Sequence, residues 1–150
     1  AATVMQEASV QQASIVYGYI RAAAAGQSAL DAQRQQVNLL ALDALPMAED
    51  AHLVHRGMFG DQSVDGGAAV QVIHFGACRP GLEYQWDNWI EQFEVLLRRM
   101  CWSRVTVHLE TPALGTHTFV WVASCGDYSP GGAAFEECVQ RLWQRSGALY

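Results

Sequence analysis

The chain has 150 residues, of which 51% are hydrophobic, and a formal net charge of −6 at pH 7. This length fits a single domain, residues 1–150, with one core, and no apolar run approaches the roughly 20 residues that a membrane span needs. An acidic chain without clustered basic residues is not expected to bind nucleic acid, because neutralising phosphates requires clustered arginine and lysine.

The nine basic residues are all arginine, and the chain has no lysine. Schiff-base chemistry, attachment of pyridoxal phosphate, and the phosphate-binding loops of nucleotide-binding proteins and kinases all use a lysine. The sequence therefore excludes these mechanisms, and we expect no cofactor. Arginine in place of lysine is typical of a GC-rich genome, so we expect a bacterial source.

Two helices are predicted in the first part of the chain, residues 1–46. A capping box, T-x-x-Q, begins at Thr3, and apolar residues follow it at helical spacing as far as Gly26. A second box, S-x-x-D, begins at Ser28 and precedes an apolar stripe that ends at Pro46. Helices joined by so short a turn should pack as an antiparallel αα-hairpin.

Residues 47–68 are predicted to form a long loop, because they are rich in glycine and acidic residues and show no regular pattern. Asp50, His52 and His55 form a D-x-H-x-x-H pattern, and imidazole and carboxylate groups are ligands of zinc. The pattern lacks the i, i+4 histidines and the glutamate of H-E-x-x-H. These residues are therefore candidate metal ligands, although we predict no metal site.

The remaining residues, 69–150, follow the order β-α-β-β-α. A strand is predicted over 70–77, an aromatic amphipathic helix over 84–101, a β-hairpin over 105–122 and a final helix over 135–143. With the first 46 residues, the pattern predicts an α+β fold. Its small sheet would have three or four mainly antiparallel strands packed against helices, and the aromatic helix should cover the apolar face of the hairpin.

The predicted hairpin has two faces of different polarity. A five-residue connection would pair His108 with Thr118 and Glu110 with Thr116, and directly opposed residues share a face. The apolar face consists of Val105, Val107, Leu109, Phe119 and Trp121. The polar face and two aspartates of the long loop are the predicted binding residues: Thr106, His108, Glu110, Thr116, Thr118, Asp61 and Asp65.

The polar face also carries the candidate catalytic residues. His108 and Glu110 lie two residues apart on one strand, where the carboxylate could orient the imidazole as a general base. His74, on the preceding strand, would join them if it points to the same face, but the register of that strand cannot be read from the sequence. A solvated sheet face, with no catalytic role, explains the same residues.

Four cysteines, at positions 78, 101, 125 and 138, form no C-x-x-C pair. We expect reduced, mostly buried thiols in a cytoplasmic protein, with a secreted, disulfide-bonded form as the alternative. The N-terminus has no basic-then-apolar signal-peptide pattern. The chain does not begin with methionine, so the removal of an N-terminal segment stays open.

The sequence favours a small, acidic, non-catalytic protein-binding module, comparable in size and charge with inhibitor and immunity proteins. Its partner is expected to be another protein, steered by acidic residues: Glu49, Asp50, Asp61 and Asp65. A homodimer through the polar face is a further possibility, whereas no nucleic-acid or membrane partner is expected. The alternative function is a small hydrolase or metal-dependent enzyme that uses the His–Glu site.

Overall fold

The computed structural model describes residues 13–23, 28–47, 52–60, 70–124 and 126–143. The five strands are β1 (Ala13–Ala23), β2 (Val70–Pro80), β3 (Arg104–Thr111), β4 (Gly115–Ala123) and β5 (Val139–Arg141). The helices are α1 (Ser28–Asp43), α2 (Trp86–Leu97) and the single turn α3 (Phe135–Cys138), with 3₁₀ turns at Arg56–Met58 and Leu82–Gln85. None of the helices in these ranges is long and apolar enough to cross a membrane.

The five strands form one sheet in the order β2-β1-β3-β4-β5, and every neighbouring pair is antiparallel. β3 and β4 confirm the predicted hairpin and its register, since His108 lies opposite Thr118 and Glu110 opposite Thr116. The predicted five-residue connection is wrong, because Thr111 pairs with Gly115 and only residues 112–114 connect the strands. The strand predicted over 70–77 is also present, as the longer β2. The β2 strand lies at one edge, where Phe59 forms a bridge to Phe75.

The predicted N-terminal αα-hairpin is wrong. Residues 13–23 form β1, which pairs with β2 and β3, and only the second predicted helix is present, as α1. The β1 segment, ASIVYGYIRAA, is rich in β-branched and aromatic residues, which favour strands, and Gly18 is unfavourable inside a helix. The capping box at Thr3 lies outside the described residues.

The predicted size of the sheet and the predicted final helix are also wrong. The described residues form a sheet of five strands rather than three or four, and helix α3 ends at Cys138, where β5 begins at Val139. The carbonyl of Cys138 accepts hydrogen bonds from the backbone nitrogen and the hydroxyl of Ser124, each 2.7 Å long. These bonds hold the chain beside β4, so residues that look helical in sequence pair as a strand.

Helix α2 packs its aromatic face on one side of the sheet, as the sequence predicts. Trp89 stacks between Trp86 and Phe93, with ring centroids 4.8 Å and 4.7 Å apart. Phe93 contacts Trp121 of β4 at 5.6 Å, and Trp86 contacts Phe119 at 5.1 Å. All five rings are almost fully buried, so this cluster forms the centre of the core.

A buried carboxylate joins α2 to the last strand. Glu94 accepts hydrogen bonds from the Trp121 indole (2.8 Å) and from Nε and Nη2 of Arg141 on β5 (2.6 and 2.8 Å). Glu94 is 8% exposed, and a buried carboxylate is stable only when it is paired and hydrogen-bonded. This network is structural, because its groups are engaged with one another.

Helix α1 packs on the same side of the sheet. Asn38, which is fully buried, accepts a hydrogen bond from the Cys101 backbone nitrogen (2.7 Å) and donates to the Cys101 carbonyl (2.9 Å) and to Gln71 (2.9 Å). Leu42 on the same helix reaches the core. In the described part of the chain, both long helices therefore cover one face of the sheet and leave the other face open.

Candidate functional site

The open face of the sheet carries all of the polar hairpin residues that the sequence predicts to bind. The registers of the strands arrange its side chains in four rows across β2, β1, β3 and β4. From one end of the face to the other, the first row is Val72, Arg21, Arg104 and Val122, and the second row is His74, Tyr19, Thr106 and Val120. The third row is Gly76, Tyr17, His108 and Thr118, and the fourth row is Cys78, Ile15, Glu110 and Thr116.

A hydrogen-bonded group lies in the third and fourth rows. The Tyr17 hydroxyl donates to Glu110 Oε1 at 2.8 Å, and the Tyr17 ring lies 5.1 Å from the imidazole of His108. His108 Nδ1 is 2.9 Å from the hydroxyl oxygen of Thr118, directly across the hairpin. Glu110 is thus hydrogen-bonded to the tyrosine and His108 to the threonine. Each member of the predicted His–Glu pair has a different hydrogen-bond partner.

Tyr17 is the residue of this group that the sequence prediction missed, because the segment was expected to be helical. The hydrogen bond from the Tyr17 hydroxyl to Glu110 raises the pKa of Tyr17 above its ordinary value of 10.0, and burial and the carboxylate charge act in the same direction. The alternation of Ile15, Tyr17 and Tyr19 with Val16 and Ile20 is the signal that could have found it.

His74 points to the same face as His108, which the sequence leaves open. The two histidines are separated by β1, however, and His74 lies opposite Tyr19, with ring centroids 6.4 Å apart. In the part of the chain that the structure describes, no three histidine, cysteine, aspartate or glutamate side chains are grouped to hold a metal ion. His74 therefore extends an aromatic surface and does not complete a cluster with His108 and Glu110.

The charged residues of the open face lie at its two ends. Arg21 and Arg104 are directly opposed in the first row, and both are exposed. Glu110 lies in the fourth row, on the same strand as Arg104. The face therefore has a basic end and an acidic end, with tyrosine, histidine, threonine and valine between them.

One hydroxyl of this face is left without a partner. Thr106 is 8% exposed, and its Oγ1 makes no hydrogen bond. Its neighbours across the sheet are Tyr19 on β1 and Val120 on β4. The hydroxyl is thus covered by the side chains of the face and does not open to solvent.

The residues predicted in the long loop contribute little to the described site. Asp50, Asp61 and Asp65, like Glu49, lie outside the described residues. His52 is exposed, and His55 precedes the Arg56–Met58 turn. Neither histidine belongs to the four rows of the open face.

A separate cleft of about 580 Å³ lies beside the outer surface of α2 and contains none of the residues predicted from the sequence. Its lining is mostly polar and exposed: Leu53, Arg79, Gln85, Asn88, Glu91, Gln92 and Val95. The Gln92 side chain accepts hydrogen bonds from the backbone nitrogens of Leu53 (2.9 Å) and Val54 (3.1 Å). The cleft thus lies where the 52–60 segment packs against α2.

The cysteines differ from the expectation of reduced, mostly buried thiols. Cys138 forms a disulfide bond, whereas Cys78 and Cys101 carry free thiols, exposed and buried respectively. Cys125 lies outside the described residues. The Cys78 thiol lies on the open face at the edge strand, in the same row as Glu110.

Comparisons with family models, with curated proteins and with solved structures found no match to this chain.

Proposed function

We propose that this protein is a non-catalytic protein-binding module whose binding surface is the open face of the sheet. The observation that carries the proposal is the exposure of apolar and aromatic groups on a face that both long helices leave uncovered. Ile15 and Val72 are 41% and 42% exposed on it, and Tyr17 and Tyr19 lie between them. Apolar and aromatic side chains surrounded by polar ones are typical of protein interfaces.

The rival function, a small hydrolase or metal-dependent enzyme, has less support. A general base must lie within hydrogen-bond reach of a substrate proton, and substrates usually bind in a pocket that buries them. Glu110 is hydrogen-bonded to Tyr17 and His108 to Thr118, and the cleft described above is lined by other residues. The two groups therefore suit recognition better than catalysis.

A cytoplasmic location, as the sequence predicts, is part of this proposal, and a bacterial host is assumed with it. The free thiols of Cys78 and Cys101 agree with a reducing compartment, whereas the disulfide at Cys138 is of a kind that is rare in cytosolic proteins. Fractionation of host cells tests the location. Recovery of the protein only outside the cytoplasm would overturn it.

Capture of partners with a matched pair of variants tests the binding surface. Thr118→Arg places a bulky charge on the open face, and Gln36→Arg places the same charge on the exposed surface of α1. A protein captured from the host by the immobilised chain is purified, and its affinity is measured by calorimetry. We expect Thr118→Arg to weaken binding at least tenfold, which is about 1.4 kcal/mol, and Gln36→Arg to leave it unchanged.

Two results would contradict the proposed function. One is a purified partner that binds both variants as tightly as the unmodified chain. The other is a hydrolytic activity of the purified protein that is lost in His108→Asn, because that activity would place the imidazole in a catalytic site.

A further inference from the structure

We infer that the partner of the open face is a second copy of this chain, bound face to face about a two-fold axis. The inference rests on the proposed function, since it names the occupant of the same surface. It is carried by the distribution of charge along β3, where Arg104 lies at one end of the face and Glu110 at the other. In a two-fold interface every contact occurs twice: when residue i of one copy contacts residue j of the other, residue j of the first copy also contacts residue i of the second.

The four rows of the face determine which residues would meet. An axis that runs parallel to the rows, between the second and the third, places the first row of one copy over the fourth row of the other. Arg104 then lies over Glu110 of the second copy, and Glu110 over its Arg104. Since both residues are on β3, one of the two central strands of the four, the twist between packed sheets displaces them least.

The remaining contacts suit the same arrangement. Tyr19 meets Tyr17 of the second copy across the axis, and offset aromatic pairs are favourable in interfaces. Val72 of the first row lies over Cys78 of the second copy, one strand away from its Ile15, so the two most exposed apolar side chains of the face are buried near each other in the same interface. Burial of this apolar area supplies the main driving force, and the charged ends set the orientation.

Arg21 and Arg104, the two arginines of the first row, favour an occupant that brings a negative charge to this end of the face. Directly opposed like charges on neighbouring strands are unfavourable, and Arg21 and Arg104 are so placed. Four other arginines pair with carboxylates: Arg34, Arg56, Arg98 and Arg141. In the part of the chain that the structure describes, Arg21 and Arg104 have no such partner, and the Glu110 of a second copy would supply one.

The size of the face limits the strength of the dimer. Strands spaced about 4.8 Å apart and rows about 6.8 Å apart give about 500 Å² of sheet for each copy. The sum, about 1,000 Å², is near the lower limit for a specific interface. We therefore expect a dimer with a dissociation constant in the micromolar range.

Sedimentation equilibrium of the purified, full chain tests the inference by charge reversal. We expect the unmodified chain to form dimers as its concentration rises from micromolar to submillimolar. Arg104→Glu and Glu110→Arg should each weaken the dimer tenfold or more. Each substitution turns both of the Arg104–Glu110 pairs of the dimer into pairs of like charge. An equal mixture of the two variants should form dimers again, since in a mixed pair every acidic residue faces an arginine.

Arg99→Glu is the matched control, because Arg99 is exposed at the end of α2, away from the open face. Its dimer should equal that of the unmodified chain. Circular dichroism verifies that the variants are folded, and recovery in the mixture cannot arise from misfolding.

A monomer at every concentration would overturn the inference, and so would a dimer that neither reversal weakens or a mixture that does not recover. If the monomer still captures another protein through Thr118, the proposed function holds and only the identity of the partner is wrong. If the dimer forms as described but His108 supports a hydrolytic activity, the inference holds and the non-catalytic function is wrong.

Discussion

At the scale of single residues, Gly18 shows how closely β1 and β3 approach each other. A Cβ atom at this position would lie 1.9 Å from the backbone oxygen of Thr106. A side chain there would have to displace backbone, not a flexible side chain. The glycine that disfavours a helix is therefore required by the strand pairing.

We predict that Gly18→Ala lowers the free energy of unfolding by about 1–3 kcal/mol, the usual cost of overpacking, as measured by urea denaturation. Gly76→Ala on the adjacent strand is the control. A Cβ atom at Gly76 would lie 3.7 Å from the nearest atom, an ordinary contact. Equal effects of the two substitutions would contradict the steric explanation.

Tyr17 and Glu110 give the open face a measurable response to pH. The hydrogen bond to Glu110 holds the phenolic proton, so the pKa of Tyr17 is higher in the folded chain than its ordinary value of 10.0. The contribution of this bond to stability is complete below that value and is lost as the pH rises through the pKa of the folded state.

We predict that Glu110→Gln lowers the pKa of Tyr17 towards its ordinary value, because the charge that retains the proton is removed. Titration of the tyrosine ring resonances by NMR measures the change, and Tyr17→Phe assigns the resonance among the five tyrosines. Thr118→Val, on the same face but bonded to His108, should leave the Tyr17 titration unchanged. A Tyr17 pKa unaffected by Glu110→Gln would show that the bond is not formed in solution.

At the scale of elements, a buried polar side chain of α1 attaches this helix to the segment between α2 and β3. Asn38 binds both backbone groups of Cys101, where the chain leaves α2 and approaches β3. A buried amide that satisfies buried backbone groups rigidifies the contact, and its loss leaves those groups unpaired. No sequence motif predicts that Asn38 binds the backbone of Cys101, since an asparagine within a helix is usually exposed.

We predict that Asn38→Ala lowers the free energy of unfolding by about 1–3 kcal/mol, the cost of leaving a buried backbone group without a partner. Thermal or urea denaturation measures it. Gln36→Ala, on the exposed surface of the same helix, should change the stability by less than about 0.5 kcal/mol. A similar loss in both variants would show that helix propensity, and not the contact with Cys101, is responsible.

At the scale of the whole molecule, a disulfide bond lies at Cys138, where α3 ends and β5 begins, three residues before the Arg141 that binds the buried Glu94. We predict that Cys138→Ser lowers the free energy of unfolding by about 2–4 kcal/mol and that a reductant has the same effect on the unmodified chain. Cys78→Ser, at an exposed free thiol, is the control and should remain as stable as the unmodified chain. Insensitivity of the unmodified chain to the reductant would contradict a stabilising disulfide.

The hairpin was predictable because its information is local. Alternation of apolar and polar residues and a short connection determine both faces and the register of β3 and β4, although the connection has three residues and not the predicted five. The aromatic helix α2 was predictable for the same reason, since its apolar stripe has to be buried. The polar residues that share the open face of the hairpin followed directly from that alternation.

β1 and β5 were not predictable in this way. The apolar residues of β1 fit helical spacing as well as alternation, and the choice is made by pairing with β2 and β3, which lie far away in the chain. β5 has only three residues, and it forms because Cys138 and Arg141 are held against β4 and α2. Because β1 was not predicted, Tyr17 and the hydrogen-bonded group that it forms on the open face were not predicted either.

The sequence by itself thus determined the hairpin, the aromatic helix and the polar residues that share a face, because periodicity and short connections act over a few residues. Only the tertiary structure decided that residues 13–23 form a central strand, that His74 lies on the same face as His108, and that Glu110 is hydrogen-bonded to Tyr17. Those facts depend on the order and register of strands that are distant in the chain, and the burial and hydrogen bonding that select them come from the assembled sheet.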